Sequence, residues 1–143
     1  MSSARSLEAN MEIAKESLKR FSSGPLLHLI GGQLVPSSSS STFENFSPVD
    51  QTSLGQVAAG GPTEIGLAAD AAAAAFGDWV SRPGSDRKKI LHRVADLIVE
   101  RADEIATVES VDTGQPIRFM SSAAIRGAEN FRYFADAAPA ALD

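Results

Sequence analysis

Two histidines, a knot of basic residues and two glycine pairs are the groups in this chain whose types and spacing bear on chemistry. His28 and His92 each stand alone, with no second ligand three or four residues away, so neither belongs to a zinc motif. A solvent-facing or hydrogen-bonded imidazole is expected at both. The serines lack a Gly-x-Ser-x-Gly elbow, and Gly31-Gly32 and Gly60-Gly61 form neither a GxGxxG fingerprint nor a Walker loop. Arg82, Arg87, Lys88, Lys89 and Arg93 gather where a helix should start, a place suited to an anion, but Asp86 and Asp96 among them point to an ordinary charged face. There is no cysteine, which removes thiolate nucleophiles, disulfides and thiolate-bound zinc together.

These groups sit in a chain of 143 residues, enough for one domain, with 43% hydrophobic and 22% charged residues, a globular balance. Much of the apolar content is alanine, so the seven Phe, one Tyr and one Trp are expected to anchor the core. A net charge of -5 gives no broad positive field and argues against nucleic acid as a partner. No run approaches the roughly 18 apolar residues that span a bilayer, and no basic-plus-apolar signal opens the chain. A cytoplasmic protein with no membrane partner is the expectation.

Periodicity supplies the elements that must position these residues. From Ser6 to Arg20, Leu7, Met11, Ala14, Leu18 and Phe21 recur at helical steps, an amphipathic helix broken by Ser22, Ser23, Gly24 and Pro25. Three glutamates in it argue against a transit peptide, and residues 1–25 read as an N-terminal extension. Leu26 to Ile30 and Gln33 to Val35 flank Gly31-Gly32 as a hairpin; Thr42 to Phe46 and Leu54 to Ala59 flank a Ser47-Pro48-Val49-Asp50 turn as a second. The serine tract Ser37 to Ser41 is too polar and repetitive to pack, and a flexible loop tip is expected there.

Four helices should follow. Gly61 as N-cap, Pro62 at N1 and Glu64 at the positive end of the dipole open the first, which runs to Trp79 with Ile65, Ala69, Ala72, Phe76 and Trp79 on one face. Ser85 offers a cap to a second from Asp86, with Ile90, Leu91, Val94, Leu97 and Ile98 apolar. Asp103 caps a third, with Ile105, Ala106 and Val108 inward, ending at Gly114 ahead of Pro116. The fourth spans Ile117 to Ala137 with Met120, Ala124, Ala128, Phe131, Phe134 and Ala138 in register, and Pro139 closes it. The fold class is thus α+β, mostly helical after two N-terminal hairpins.

Taken in order, ESVDTGQP (Glu109 to Pro116) and AENFRYFA (Ala128 to Ala135), preceded by HLIGGQLVPSSSSSTFENFSPVD and by LGQVAAGGPTEIGLAADAAAAAFGDW, resemble the N-terminal part of the NAD(P)-dependent aldehyde dehydrogenases. The resemblance runs from about His28 to the end. DTGQPI with ENFRYFADAA is most similar to members acting on semialdehydes or betaine-aldehyde-type substrates. It implies the leading part of an α/β, Rossmann-like enzyme, with residues 26–143 an incomplete cofactor domain. It also implies oxidation of an aldehyde to a carboxylic acid by a cysteine thiolate, NAD or NADP as hydride acceptor, a glutamate that activates water, and a homo-oligomeric complete enzyme. Those groups are expected downstream of Asp143, so no catalytic or cofactor-binding residue is assigned and the chain by itself is expected to bind no cofactor and to be inactive. One site carries over from the resemblance: a structural monovalent cation held by Asp112 with backbone oxygens of Asn45 and Phe46, hard ligands for a hard cation. The competing expectation is a free-standing, non-catalytic helical module that binds a partner through Phe131, Tyr133 and Phe134 or through the N-terminal helix.

Overall fold

A computed structural model describes residues 5–21 and 23–140, so Ser22 of the expected helix break lies outside the described residues. The elements are α1 (Leu7–Leu18), a 3-10 turn (Lys19–Phe21), β1 (His28–Ile30), β2 (Gln33–Val35), β3 (Thr42–Phe46), β4 (Ser53–Ala58), α2 (Pro62–Val80), α3 (Gly84–Glu100), α4 (Ala102–Thr113), α5 (Ile117–Ala137) and a closing 3-10 turn (Ala138–Ala140). They fall into two compact units: Leu18–Ser81 forms one and the described residues on either side form the other.

In the Leu18–Ser81 unit, β1 and β2 pair antiparallel with His28 opposite Val35. Gly31 and Gly32 take φ of 56° and 78°, the left-handed conformations that a two-residue turn demands of its central residues. β3 and β4 form a second antiparallel pair, with a bulge where Asn45 faces Gly55 and Phe46 faces Ser53. Leu26 extends the outer edge of β4, its N–H donating to the Gln56 carbonyl at 2.8 Å and its carbonyl accepting from Ala58 N–H at 2.9 Å. α2 rests on the first hairpin near Gly31, where an added Cβ would stand 3.7 Å from the Ala71 Cβ.

In the other unit, α5 packs along α3 and α4. Its buried positions are Met120, Ala124, Ala128 and Ala135, while Phe134 is 65% exposed and Phe131 39% exposed, which corrects the expected register. The same correction applies to the whole core. No large side chain among the described residues is fully buried, and the buried apolar positions are six alanines and Met120. The aromatic residues expected to anchor it lie at the surface or half-buried. The physical reason is geometric: Ala95, Ala128 and Ala135 are fully inaccessible, and a methyl-sized side chain lets helix backbones approach to a distance at which a phenyl ring has no room.

Helix ends also differ in detail from the expectation. α3 begins at Gly84, not Asp86, because the Pro83 carbonyl accepts from both Asp86 and Arg87 N–H (2.9 and 3.1 Å), and Ser85 provides no side-chain cap. Gly84 is required by contact: a Cβ there would lie 2.8 Å from the Ala138 carbonyl oxygen and from Pro139 Cα. α4 starts at Ala102, with Asp103 inside its first turn, and Ile105 is 38% exposed while Ala106 and Thr107 are buried. It ends on Gly114 at φ 73°, a left-handed C-cap, as expected. α1 buries no residue; Arg5 beside it pairs with Asp103 at 2.5 Å.

Candidate functional site

The most organised polar arrangement in the Leu18–Ser81 unit is built on Glu64. Gly61 and Pro62 open α2, and the third residue on, Glu64, reaches back so that its Oε2 accepts the Gly61 N–H at 2.7 Å, the half of a capping box that a glycine N-cap leaves available. Its other oxygen accepts the Ser38 N–H at 2.8 Å. The serine tract, expected to be a flexible tip, is therefore held: Ser37 is buried, its hydroxyl meets that of Ser39 at 2.9 Å, Ser40 N–H donates to the Ser37 carbonyl, and Ala59 N–H donates to that of Ser41. A carboxylate that supplies acceptors to a polar tract substitutes for the apolar packing the tract lacks.

Two backbone N–H donors, Gly61 first and Ser38 second, with the Ser38 hydroxyl after them, pull the Glu64 carboxyl down to about 2, although the side chain is nearly inaccessible and burial acts the other way. A lowered folded-state value contributes stability that is fully present above the unfolded value near 4.5 and is lost as pH falls through about 2. We expect Glu64→Gln to melt below the wild-type chain at pH 7, with the gap closing as pH drops from 4.5 towards 2; a gap that is constant with pH in circular-dichroism melts would contradict this role.

His28 lies beside the same helix entrance. Its ring lies beside Gly60, where an added Cβ would stand 3.2 Å from Cε1, and its Nε2 is buried with no hydrogen-bond partner. The residue as a whole is half-buried, so the expectation of a solvent-facing or hydrogen-bonded imidazole fails at Nε2 alone, where the ring lies beside a glycine that has no side chain to displace it. His92 is hydrogen-bonded as expected, its Nε2 standing 2.9 Å from Asp136, which also accepts from Lys88 Nζ at 2.9 Å. Those two donors, Lys88 first, hold the Asp136 carboxyl below the usual range. Two more members of the basic cluster are paired with acids on the same helix, Lys89 with Asp86 and Arg93 with Glu100, while Asp96 takes Arg132, from outside the cluster, at 2.6 Å. Asp86 is lowered chiefly by Lys89. Exposed pairs like these each contribute little.

A dinucleotide pyrophosphate needs free N–H groups and positive potential at a helix entrance. The entrance that carries the glycine pair has its Gly61 N–H taken by Glu64 and an ionised carboxylate at its mouth, and α3 and α4 have acidic first turns, so none of these three entrances fits such a group. Of the expected cation ligands, Asp112 lies near the end of α4, and Asn45 and Phe46 at the bulge of β3 in the other unit, so neither unit by itself holds all three. Among the described residues no three His, Asp or Glu side chains gather as a metal site, and no helix is long and apolar enough to cross a membrane. Two features escaped the sequence, the second bond of Glu64 and the seat of His28. Both are contacts between residues far apart in the chain and had no local signal; only the bond of Glu64 to Gly61 had one, in Gly61-x-x-Glu64.

With that geometry in place, the chain compares closely with known proteins. Residues 34–143 match the model of the aldehyde dehydrogenase family. The chain is 46% identical over 114 residues to aldehyde dehydrogenase 1 of Tanacetum cinerariifolium, covering 76% of this chain and 22% of that protein. It is 43% identical over 111 residues to the 2-hydroxymuconic semialdehyde dehydrogenase of Pseudomonas sp. strain CF600, covering 76% and 23%. The crystal structure of HpcC from Thermus thermophilus superposes on 93% of this chain with a TM-score of 0.88 at 39% identity, using 26% of the HpcC chain. The chain thus spans about a quarter of the length of the relatives it matches.

Proposed function

The chain belongs to the aldehyde dehydrogenase family, and from that premise we propose that it forms the leading segment of an enzyme that oxidises an aldehyde or semialdehyde to a carboxylic acid with NAD or NADP. The observation that carries the reading is the agreement of sequence and fold over one continuous stretch: 39% identity and a TM-score of 0.88 across 93% of the chain. The semialdehyde preference is supported by the 43% identity to an enzyme named for such a substrate. Within that enzyme this segment supplies structure. The entrance of α2 is closed by Glu64, and the sequence contains no thiol to serve as nucleophile.

The 143-residue polypeptide alone is therefore expected to give no NADH or NADPH above the uncatalysed rate from short aliphatic, aromatic or semialdehyde substrates. Absorbance at the nicotinamide band checks this. Turnover that survives repurification and scales with this chain's concentration would sink the scaffold reading.

A further inference from the structure

This sequence holds three methionines and no cysteine, so thioethers are the only sulfur it offers to an oxidant. Met1 lies outside the described residues, and the other two stand in opposite surroundings. Met11 is 52% exposed, on a helix that buries no residue. Met120, near the start of α5, is 7% exposed, and α5 packs along α3 and α4 of its own unit. Among the described residues it is the one buried apolar side chain of that unit larger than a methyl group; the others are Ala95, Ala106, Ala124, Ala128 and Ala135.

Such a core has no provision for a polar oxygen. A sulfoxide carries a strong hydrogen-bond acceptor, and an acceptor buried without a donor is destabilising. The one buried polar side chain described in the helical unit is Thr107, whose hydroxyl already donates to the Asp103 carbonyl at 2.7 Å. The added atom also needs volume in a close-packed seam where Ala95, Ala128 and Ala135 are fully inaccessible.

We propose that Met120 is the site through which hydrogen peroxide acts on this segment. The thioether sulfur takes one peroxide oxygen as the O–O bond breaks, and the other oxygen leaves as water; sulfur loses the two electrons that the peroxide gains. The sulfoxide then loosens α5 from α3 and α4. Met11 reacts first because it is accessible, and its oxidation leaves the fold unchanged. Met120 reacts as the helices open. Reduction by methionine sulfoxide reductases restores the thioether, so the step is reversible.

The test treats the 143-residue chain with hydrogen peroxide, following each sulfoxide by peptide mass spectrometry and the helices by thermal circular dichroism. In the folded chain Met11 should oxidise at least about tenfold faster than Met120, and in concentrated urea the two rates should converge. The melting midpoint should hold while Met11 alone is oxidised, fall by roughly 5 °C or more once Met120 is, and recover on treatment with reductases for both sulfoxide epimers. Met120→Leu, a swap that conserves core volume, should keep its own untreated midpoint after peroxide, whereas Met11→Leu should fall as the wild type does. Full sulfoxide at Met120 with an unchanged midpoint, or a fall that persists in Met120→Leu, would overturn the proposal.

Discussion

Replacing Ala128 by leucine is expected to disrupt the helical unit more than removing any of its aromatic rings. Ala128 is wholly inaccessible on the face of α5 that packs along α3 and α4, and Ala95 and Ala135 are equally closed. Three added carbons have no void to enter, so the helices must part or the side chain must leave its rotamer, at a cost of about 1–3 kcal/mol. For a unit of this size that lowers the melting midpoint by roughly 5–20 °C. Phe134→Ala, at a ring 65% exposed, should stay within about 0.5 kcal/mol of wild type. The comparison is made on the isolated chain by thermal circular dichroism, and the reverse order of effects would mean that the aromatic residues carry the core after all.

Gly55→Ala is the second large effect expected, and it acts in the other unit. Gly55 holds φ at 115°, a conformation that an L side chain resists, and a Cβ there would stand 2.6 Å from the backbone carbonyl oxygen of Phe21. Backbone strain of about 1–3 kcal/mol adds to the displacement of the 3-10 turn at Lys19–Phe21 from β4. Gly66→Ala is the matched control. Gly66 lies in α2 with nothing within 4 Å of the added methyl, so the change should stabilise the helix by about 0.5–1 kcal/mol. Opposite shifts in melting temperature at these two glycines are predicted; equal shifts would mean that composition rather than contact governs them.

The order of the elements was readable from punctuation and period. Gly31-Gly32, Pro62, Gly114 and Pro139 each sit where the structure turns, opens or closes an element, because their backbone preferences act locally. What the pattern could not decide is which apolar stripe faces its own chain. On α5 the rings of Phe131 and Phe134 share a helical period with Met120 and Ala124, yet the alanines are buried and Phe134 is not; on α2 Ile65, Phe76 and Trp79 share a period and none of them is buried. Periodicity locates a stripe, and only the neighbours determine whether it is covered. The site was legible to the same degree. Glu64 was visible as a residue near a helix dipole, but its hold on Ser38 joins positions 26 residues apart and turns an apparently unstructured serine run into an ordered turn.

The central claim, that this segment supplies scaffold to an aldehyde dehydrogenase and none of its reacting groups, is tested most directly by exchange. Residues 34–143 replace the matched segment of the Pseudomonas 2-hydroxymuconic semialdehyde dehydrogenase, and kcat and KM for its semialdehyde are measured. The prediction is a folded enzyme with kcat within about tenfold of the parent, the difference of ~1.4 kcal/mol that altered packing readily produces. A replaced enzyme that folds and binds NAD with parental affinity, yet has lost its turnover, would contradict the claim, because it would show that the leading segment of a working family member holds a reacting group and is more than scaffold.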